Sequence, residues 1–116
     1  MSRRELEPLL HDVLKAGQRI IDYAGGKTED EYVGDELAHD VAERNFITIG
    51  EALMQAIRIS PEVEARLPGA REAIAFRHVL THGYRLIDHR RVWKILHHSL
   101  PALLSECRLL LGELPA

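Results

Sequence analysis

Sixteen residues, Phe76 to Arg91, bring together side chains that transfer protons and side chains that bind phosphate. The segment reads FRHVLTHGYRLIDHRR and holds three histidines, four arginines and a tyrosine. An imidazole exchanges protons near neutral pH, and a guanidinium binds a phosphate through two parallel hydrogen bonds. In RNA the 2′-hydroxyl is a built-in nucleophile, so cleavage needs only a base, an acid and charge stabilisation, with no metal. His82 and Arg77 supply these groups.

The spacing predicts that the polar groups share one face of a helix. At about 100° per residue, the polar residues nearest to Arg77 are His78, Thr81, His82, Tyr84 and Arg85. The opposite arc is apolar and is predicted to be buried; it contains Ala75, Phe76, Val79, Leu80, Gly83 and Leu86, with Ile74 as the one apolar residue on the polar side. Cleavage benefits from proton-transfer groups on both sides of phosphorus, so we expect a second copy of the chain to face this helix across a twofold axis.

Two other interpretations of the stretch stay open. A solvated basic helix face is common, although glutamate and lysine would serve solubility better than histidine and tyrosine. His78 and His82 stand four residues apart and could hold one metal ion together, with His97 and His98 as candidates for further ligands from the next helix.

Glu51 lies in an apolar helical segment, TIGEAL, where an unpaired carboxylate is costly to bury. It is either an exposed or salt-bridged helix residue or a partner that orients Arg77 from a neighbouring helix. Arg85 flanks the motif and is a better candidate for phosphate contact than Arg44. We therefore predict that His78, Arg85 and Glu51 support substrate binding.

The elements that must position these groups are helices. Apolar residues at helical spacing predict helices over residues 4–23, 36–58 and 70–84, with Thr28 and Asp35 as possible N-caps. Ser60 and Pro61 begin one short helical turn, and Asp88 caps a fourth long helix, which Pro101 either kinks or divides. No segment alternates with period two, so the prediction is an all-α bundle of four or five helices.

The composition limits the class of protein. The chain has 116 residues, 46% hydrophobic and 28% charged, which is enough for one hydrophobic core. Residues 71–94 carry a net charge of +4 within a chain of net charge -3, so a local basic patch accompanies overall acidity. The single cysteine, Cys107, fits a reducing compartment and a place in the core. No apolar run is long enough to span a bilayer, and we expect a cytoplasmic protein.

The residues FRHVLTHGY resemble the Arg-polar-x-x-x-His-x-Tyr signature of HEPN-domain proteins of the HepT-like branch. These are the toxin halves of bacterial and archaeal HEPN/MNT toxin–antitoxin pairs. The segment HDVAERNFITIGEAL is similar to the second helix of that branch, and RLPGAREAIAFRHVLTHGYRLIDHRRVWKILHHSLPALL runs like its third and fourth helices. The resemblance extends from the first helix to Leu111.

The resemblance implies a fold and an activity. The fold is an all-α HEPN bundle of four to five up-and-down helices, a single domain over residues 1–116 that dimerises through its motif helices. The activity is a metal-independent endoribonuclease that needs no cofactor and cleaves tRNA or mRNA. The implied partners are a second copy and a cognate MNT-type nucleotidyltransferase antitoxin, in a dimer or a higher hetero-oligomer, and no membrane.

The resemblance also assigns roles by position. Arg77 would bind and stabilise the scissile phosphate, His82 would be the general acid/base, and Tyr84 would be the hydroxyl that the antitoxin modifies with AMP. Two positions depart from the family: His78 stands where asparagine or aspartate is frequent, and Gly69 stands where tryptophan is common. His78 supports a second hypothesis, a non-catalytic HEPN module that binds nucleotide or RNA beside a nucleotidyltransferase.

Overall fold

Helices form nearly all of the computed structural model, which describes residues 2–115 with every side chain except that of Tyr84. Their bounds are α1 (Arg3–Ala24), α2 (Glu29–Val33), α3 (Glu36–Ile59), α4 (Glu62–Arg66), α5 (Ala70–His82), α6 (His89–His97) and α7 (Ser99–Glu113), with a 3-10 turn over Tyr84–Leu86 between α5 and α6. No strand occurs within residues 2–115. The predicted all-α bundle is confirmed, with five longer helices and the two short helices α2 and α4.

Polar side chains fix where several helices begin. The backbone N–H of Glu31 donates to Oγ1 of Thr28 over 3.2 Å, and the carboxylate of Glu31 accepts from the N–H of Thr28 over 2.8 Å. Asp35 accepts from the N–H of Ala38 at the start of α3, over 3.0 Å. Asp88 accepts from the N–H groups of residues 90 and 91 at the start of α6. These bonds satisfy donors that the first helical turn leaves free, and they confirm the three predicted caps.

The centre of the bundle is the pair α1 and α3. The C-terminal half of α1 lies beside the N-terminal half of α3, so the two helices run antiparallel. Four alanines of α3 are buried: Ala38, Ala42, Ala52 and Ala56. On its other side α1 meets α7 at Gly17, where an added Cβ would lie 2.5 Å from Cδ2 of Leu104. The helix α5 packs against α3, which places the motif helix on the outside of the central pair.

One helix end differs from the prediction, and at a second the structure decides between two predicted alternatives. The helix α5 ends at His82, two residues before the predicted end, because the chain tightens into a 3-10 turn in which Leu86 N–H donates to the carbonyl of Gly83 over 2.8 Å. Pro101 divides the last helical region instead of kinking it. A proline at this position lacks the N–H that would bond to residue 97, and the helix breaks at His98 before α7 begins.

The buried side chains form one continuous core that includes residues of every α-helix. Cys107 is fully buried within it, as predicted, and burial raises the pKa of its thiol to about 12. None of the helices between residues 2 and 115 combines the length and apolar character that crossing a membrane requires.

Candidate functional site

The motif helix meets α3 at Gly50. A Cβ built on Gly50 would lie only 2.4 Å from Cβ of Arg77, so a side chain there could not coexist with the present position of α5. The ring of Phe46, one turn before Gly50 on α3, packs edge to face against the ring of Phe76, the residue directly before Arg77, with centroids 5.2 Å apart. The missing side chain of Gly50 therefore leaves room for the aliphatic stem of Arg77, which the aromatic pair holds against α3.

Glu51 binds the other end of the same arginine. Nη2 of Arg77 donates to Oε1 of Glu51 over 3.1 Å, and the two side chains are 23% and 52% exposed. Nε of Arg77 is buried and has no hydrogen-bond partner among the described residues. Because Glu51 is half exposed, the ion pair contributes about 1 kcal/mol or less to stability. The main effect of the ion pair is to fix the direction of the guanidinium. This contact between Glu51 and Arg77 was one of the two alternatives proposed from the sequence.

The predicted orientation of the motif helix was partly wrong. Of the residues assigned to the buried arc, Phe76 and Leu80 are buried, but Val79 is 39% exposed and Ala75 is exposed. Leu86, also assigned to that arc, lies after the end of α5 and is 85% exposed. The buried side is formed by Phe76 and Leu80, with the partly buried Arg77 and Ile74 beside them. The helical wheel placed apolar residues on the buried side. In the structure Gly50 leaves space for the stem of Arg77, so this arginine lies partly on the buried side and α5 is rotated relative to the prediction.

His78 and His82 lie on the outward face of α5. Both side chains are exposed, and the two ring centroids are 4.6 Å apart at an angle of 46°. Neither ring forms a hydrogen bond with a described residue, whereas Thr81 between them donates to the backbone of Arg77 or His78. Two free imidazoles one helical turn apart are accessible for proton transfer with a bound substrate.

The same two imidazoles are the candidate metal ligands. Within residues 2–115 no group of three or more His, Cys, Asp or Glu side chains has the arrangement of a metal site. His97 lies elsewhere: its ring packs on that of Trp93 at 4.3 Å, on α6. Trp93 in turn donates from Nε1 to the carbonyl of Lys27 over 3.0 Å, which ties α6 to the loop after α1. Trp93 thus serves packing.

The remaining motif residues follow α5 directly. Arg85 is exposed and has no ion-pair partner among the described residues. The backbone of Tyr84 lies in the 3-10 turn, and its side chain is outside the described part of the chain. Because the α-helix has ended, the wheel positions predicted for Tyr84 and Arg85 do not apply, and their roles stay predictions.

The basic segment is partly neutralised by other helices. Arg71 donates to Glu64 through two bonds of 2.7 and 2.8 Å, and Arg90 donates to Asp30 over 2.9 Å. The cations of residues 71–94 without such a partner in the described structure are Arg85, Arg91 and Lys94. The free positive charge therefore lies at and after the end of α5.

A partly buried polar cluster joins α2, α3 and α6, and no sequence pattern predicted it. The rings of His39 and His89 stack with centroids 3.6 Å apart and planes 7° apart. Nε2 of His39 lies 2.7 Å from the carbonyl of Tyr32 and so carries the proton, since a carbonyl only accepts. Nδ1 of His89 is 3.7 Å from Oε2 of Glu43 and has no hydrogen bond. The members of this polar cluster come from three separate helices, and no rule of sequence spacing connects them.

Burial shifts the protonation of this cluster. Desolvation, with the neighbouring His39 as a second cause, lowers the pKa of His89. Desolvation also raises the pKa of Glu43, against the opposing effect of His39. Burial raises the pKa of Tyr32 as well, and its hydroxyl is buried without a partner among the described residues. The cluster holds three helices together and lies apart from the motif residues on α5.

Comparison with known proteins places these features in a family. The family model described as "Ribonuclease HepT-like" matches residues 13–110. Among the curated relatives is MJ1380 of Methanocaldococcus jannaschii, whose name proposes an RNase; it is 25% identical over 108 residues, which cover 91% of this chain and 96% of the relative. MJ0125 of the same organism, also named as a proposed RNase, is 23% identical over 114 residues, covering 98% and 97%. No solved structure matches at comparable significance. With its motif helix fixed at Gly50 and most of its length matched, the chain belongs to the HepT-like family of HEPN-type ribonucleases.

Proposed function

We propose that this chain is a metal-independent endoribonuclease toxin of a HEPN/MNT toxin–antitoxin pair. The observation that carries the proposal is the arrangement around α5, where Glu51 and Gly50 hold the guanidinium of Arg77 and the unbonded imidazoles of His78 and His82 follow it one and five residues later on the same helix. The arginine is positioned before any substrate binds, and the imidazoles are accessible to the substrate. The names of the relatives, which propose RNases, agree with this activity.

The chemistry requires three groups around one phosphate. A base removes the proton from the 2′-hydroxyl, the oxygen attacks phosphorus, and an acid protonates the departing 5′-oxygen. The products are a 2′,3′-cyclic phosphate and a 5′-hydroxyl end. His82 acts as the general acid/base, and Arg77 stabilises the additional negative charge on the phosphate oxygens. Arg85 is free to bind a neighbouring phosphate.

A second copy of the chain would complete the site. His78 and His82 share the outward face of α5 with exposed apolar groups, among them Val79 and, just after the helix, Leu86. An exposed leucine and valine beside the proposed site fit a surface that a partner covers. A twofold pairing of this face would place a second His82 on the other side of the phosphate.

Substitution of the exposed apolar residues tests this pairing. Leu86→Asp is expected to give a monomer in light scattering and to lose cleavage, because a charge would be buried in the interface. Leu109→Asp is the matched control, since Leu109 is 66% exposed and lies on α7, outside the motif helix. A wild-type chain that is monomeric at micromolar concentration and still cleaves RNA would contradict the pairing.

A cleavage assay tests the activity itself. The wild type should produce 2′,3′-cyclic phosphate ends from RNA, and should do so in EDTA. His82→Ala should lose cleavage while remaining folded, because the side chain is exposed. Arg77→Lys keeps the aliphatic stem against Gly50 but loses the planar fork, so it should also be strongly impaired. His11→Ala, on an exposed histidine of α1, is the control and should be fully active.

The outcomes separate the alternatives. Activity that disappears in EDTA and returns with zinc would favour the metal site formed by His78 and His82. A wild-type chain that binds RNA or nucleotide but never cleaves would favour the non-catalytic HEPN partner of a nucleotidyltransferase. In that case His78→Asn, which restores the residue frequent in the family, is the variant to assay for recovered cleavage.

A further inference from the structure

An open groove of mixed polar and apolar lining runs between α1 and α3, on the side of α3 next to Glu51. It has a volume of about 610 Å³ and is lined by Arg19, Asp22 and Tyr23 of α1 and by Val41, Arg44, Asn45 and Thr48 of α3. This volume is within the range of roughly 300–1,000 Å³ that is typical of ligand sites. None of these seven residues belongs to the motif on α5.

The groove has an excess of unpaired positive charge. Arg19 and Arg44 are exposed, and neither guanidinium forms an ion pair or a hydrogen bond with a described residue. The carboxylate in the lining, Asp22, accepts a hydrogen bond of 2.7 Å from Nε2 of Gln18 and is therefore directed along its own helix. Two free guanidinium groups facing one groove favour an anionic ligand with more than one phosphate.

The neutral lining residues suit a nucleotide chain. Tyr23 is 42% exposed, so part of its ring is free to stack on a base, and Lys27 lies 5.8 Å from the ring centroid. Asn45 uses Nδ2 for the carbonyl of Val41, and Thr48 uses its hydroxyl proton for the carbonyl of Arg44. Their side-chain oxygens therefore remain as acceptors for base N–H groups or the 2′-hydroxyl of RNA.

The groove lies close to the proposed cleavage site along α3. Thr48 lies three residues and Arg44 seven residues before Glu51, which binds Arg77. At about 1.5 Å per residue, these positions are roughly 4.5 Å and 10 Å from Glu51 along the helix axis. A strand whose phosphate is held at Arg77 therefore needs only a short extension to reach the groove.

We propose that the α1–α3 groove binds the single-stranded RNA segment that flanks the cleaved bond. Arg19 and Arg44 bind its phosphates, and Tyr23 stacks on one base. This inference rests on the proposed ribonuclease function, because the groove leads to the phosphate site at Arg77. Recognition by stacking and phosphate contacts tolerates many sequences, so the groove would select a single-stranded region and not a particular base order.

The test measures RNA binding separately from cleavage. All variants carry His82→Ala so that the probe stays intact, and the probe is a fluorescein-labelled single-stranded RNA of about twelve nucleotides, a length within the site sizes of single-strand binders. Arg58→Ala is the matched control for Arg44→Ala. Both are exposed, unpaired arginines on α3, one seven residues after Glu51 and the other seven before it, and Arg58 does not line the groove.

Each contact has its own signature in fluorescence anisotropy at several salt concentrations. Arg44→Ala and Arg19→Ala should each weaken binding and reduce the slope of log K against log salt by about 0.7, the value for one lost contact to single-stranded nucleic acid. Tyr23→Ala should weaken binding by about tenfold with an unchanged slope, because stacking involves no counterion release. Arg58→Ala should bind like the parent protein. Thermal melting checks that each variant is folded.

The possible results distinguish the groove from the nuclease. If Arg44→Ala binds like the parent, or if Arg58→Ala loses as much affinity as Arg44→Ala, the groove proposal is overturned, whether or not the wild type cleaves RNA. If the groove variants lose binding as expected but the wild type cleaves no RNA, the groove stands and the ribonuclease proposal fails. A probe of double-stranded RNA that binds more tightly than the single strand would also overturn the groove proposal.

Discussion

The contact between Gly50 and Arg77 offers the most direct test of how the fold positions the site. In Gly50→Ala the new Cβ would lie 2.4 Å from Cβ of Arg77, whereas an ordinary contact is 3.4–4 Å. Both atoms are attached directly to helix backbones, so neither side chain can rotate away. The helices α3 and α5 must therefore separate by about 1 Å at this point.

Two opposing contributions set the size of the effect on stability. Forcing an extra methyl group into a close contact costs about 1–3 kcal/mol. Alanine is better than glycine inside a helix by about 0.5–1 kcal/mol. We expect a net loss of about 1–2 kcal/mol in the free energy of unfolding, which lowers Tm by roughly 4–8 °C in a chain of this size. Displacing a phosphate-binding group by about 1 Å can reduce the rate by about 100-fold.

The assay compares melting temperature and RNA cleavage in two glycine variants. Gly112→Ala is the control, because an added Cβ there meets nothing within 4 Å and the residue lies in α7. Gly112→Ala should gain about 0.4–1 kcal/mol in the free energy of unfolding and keep full activity. If Gly50→Ala melts at the wild-type temperature and cleaves at the wild-type rate, the close approach at Gly50 does not position Arg77, and the account of the site is refuted.

Three further predictions concern orientation, regulation and pH. Glu51→Gln should lower kcat by about tenfold with a change in stability below about 1 kcal/mol, because Arg77 loses its charged partner while the half-exposed pair contributes little to folding; steady-state kinetics and urea unfolding measure the two effects. Tyr84→Phe should leave cleavage nearly intact but prevent silencing, and intact-mass spectrometry after incubation with the nucleotidyltransferase and ATP should show added AMP on the wild type alone. The lowered pKa of His89 means that the unfolded chain takes up a proton near pH 6.5 and the folded chain resists it, so stability should fall as pH drops below 6.5. Urea unfolding at several pH values should show this loss, reduced in His89→Gln.

Each of these three predictions would be contradicted by a specific result. An equal loss of activity and stability in Glu51→Gln would mean that the carboxylate supports the fold and not the guanidinium. A Tyr84→Phe protein that still gains AMP and is silenced would move the modification to another residue. For the pH dependence, Glu43 acts oppositely: its raised pKa gives stability that is present below pH 4.5 and lost as pH rises through the folded-state value. If the slope of the free energy of unfolding against pH near pH 6.5 is unchanged in His89→Gln, then His89 is not the cause of that slope.

Much of the fold followed from local rules. The caps at Thr28, Asp35 and Asp88 were predictable because each side chain satisfies N–H groups of its own helix, within three residues. The break near Pro101 was predictable because proline lacks an N–H wherever it stands. The short helix α2 was expected only as a polar connection, since its one buried residue, Tyr32, acquires its role from α3 and α6.

The sequence by itself determined the class of fold, the helix order and the motif residues, because helical periodicity, capping and residue chemistry are local properties. The tertiary structure decided which side of α5 is buried: Gly50, on another helix, leaves space for Arg77, while the apolar Val79 and Leu86 stay exposed. It also decided that Glu51 reaches Arg77 and that His39 stacks on His89. These contacts join residues 26 and 50 positions apart, and their energy depends on how helices approach one another, which no pattern within a single helix encodes.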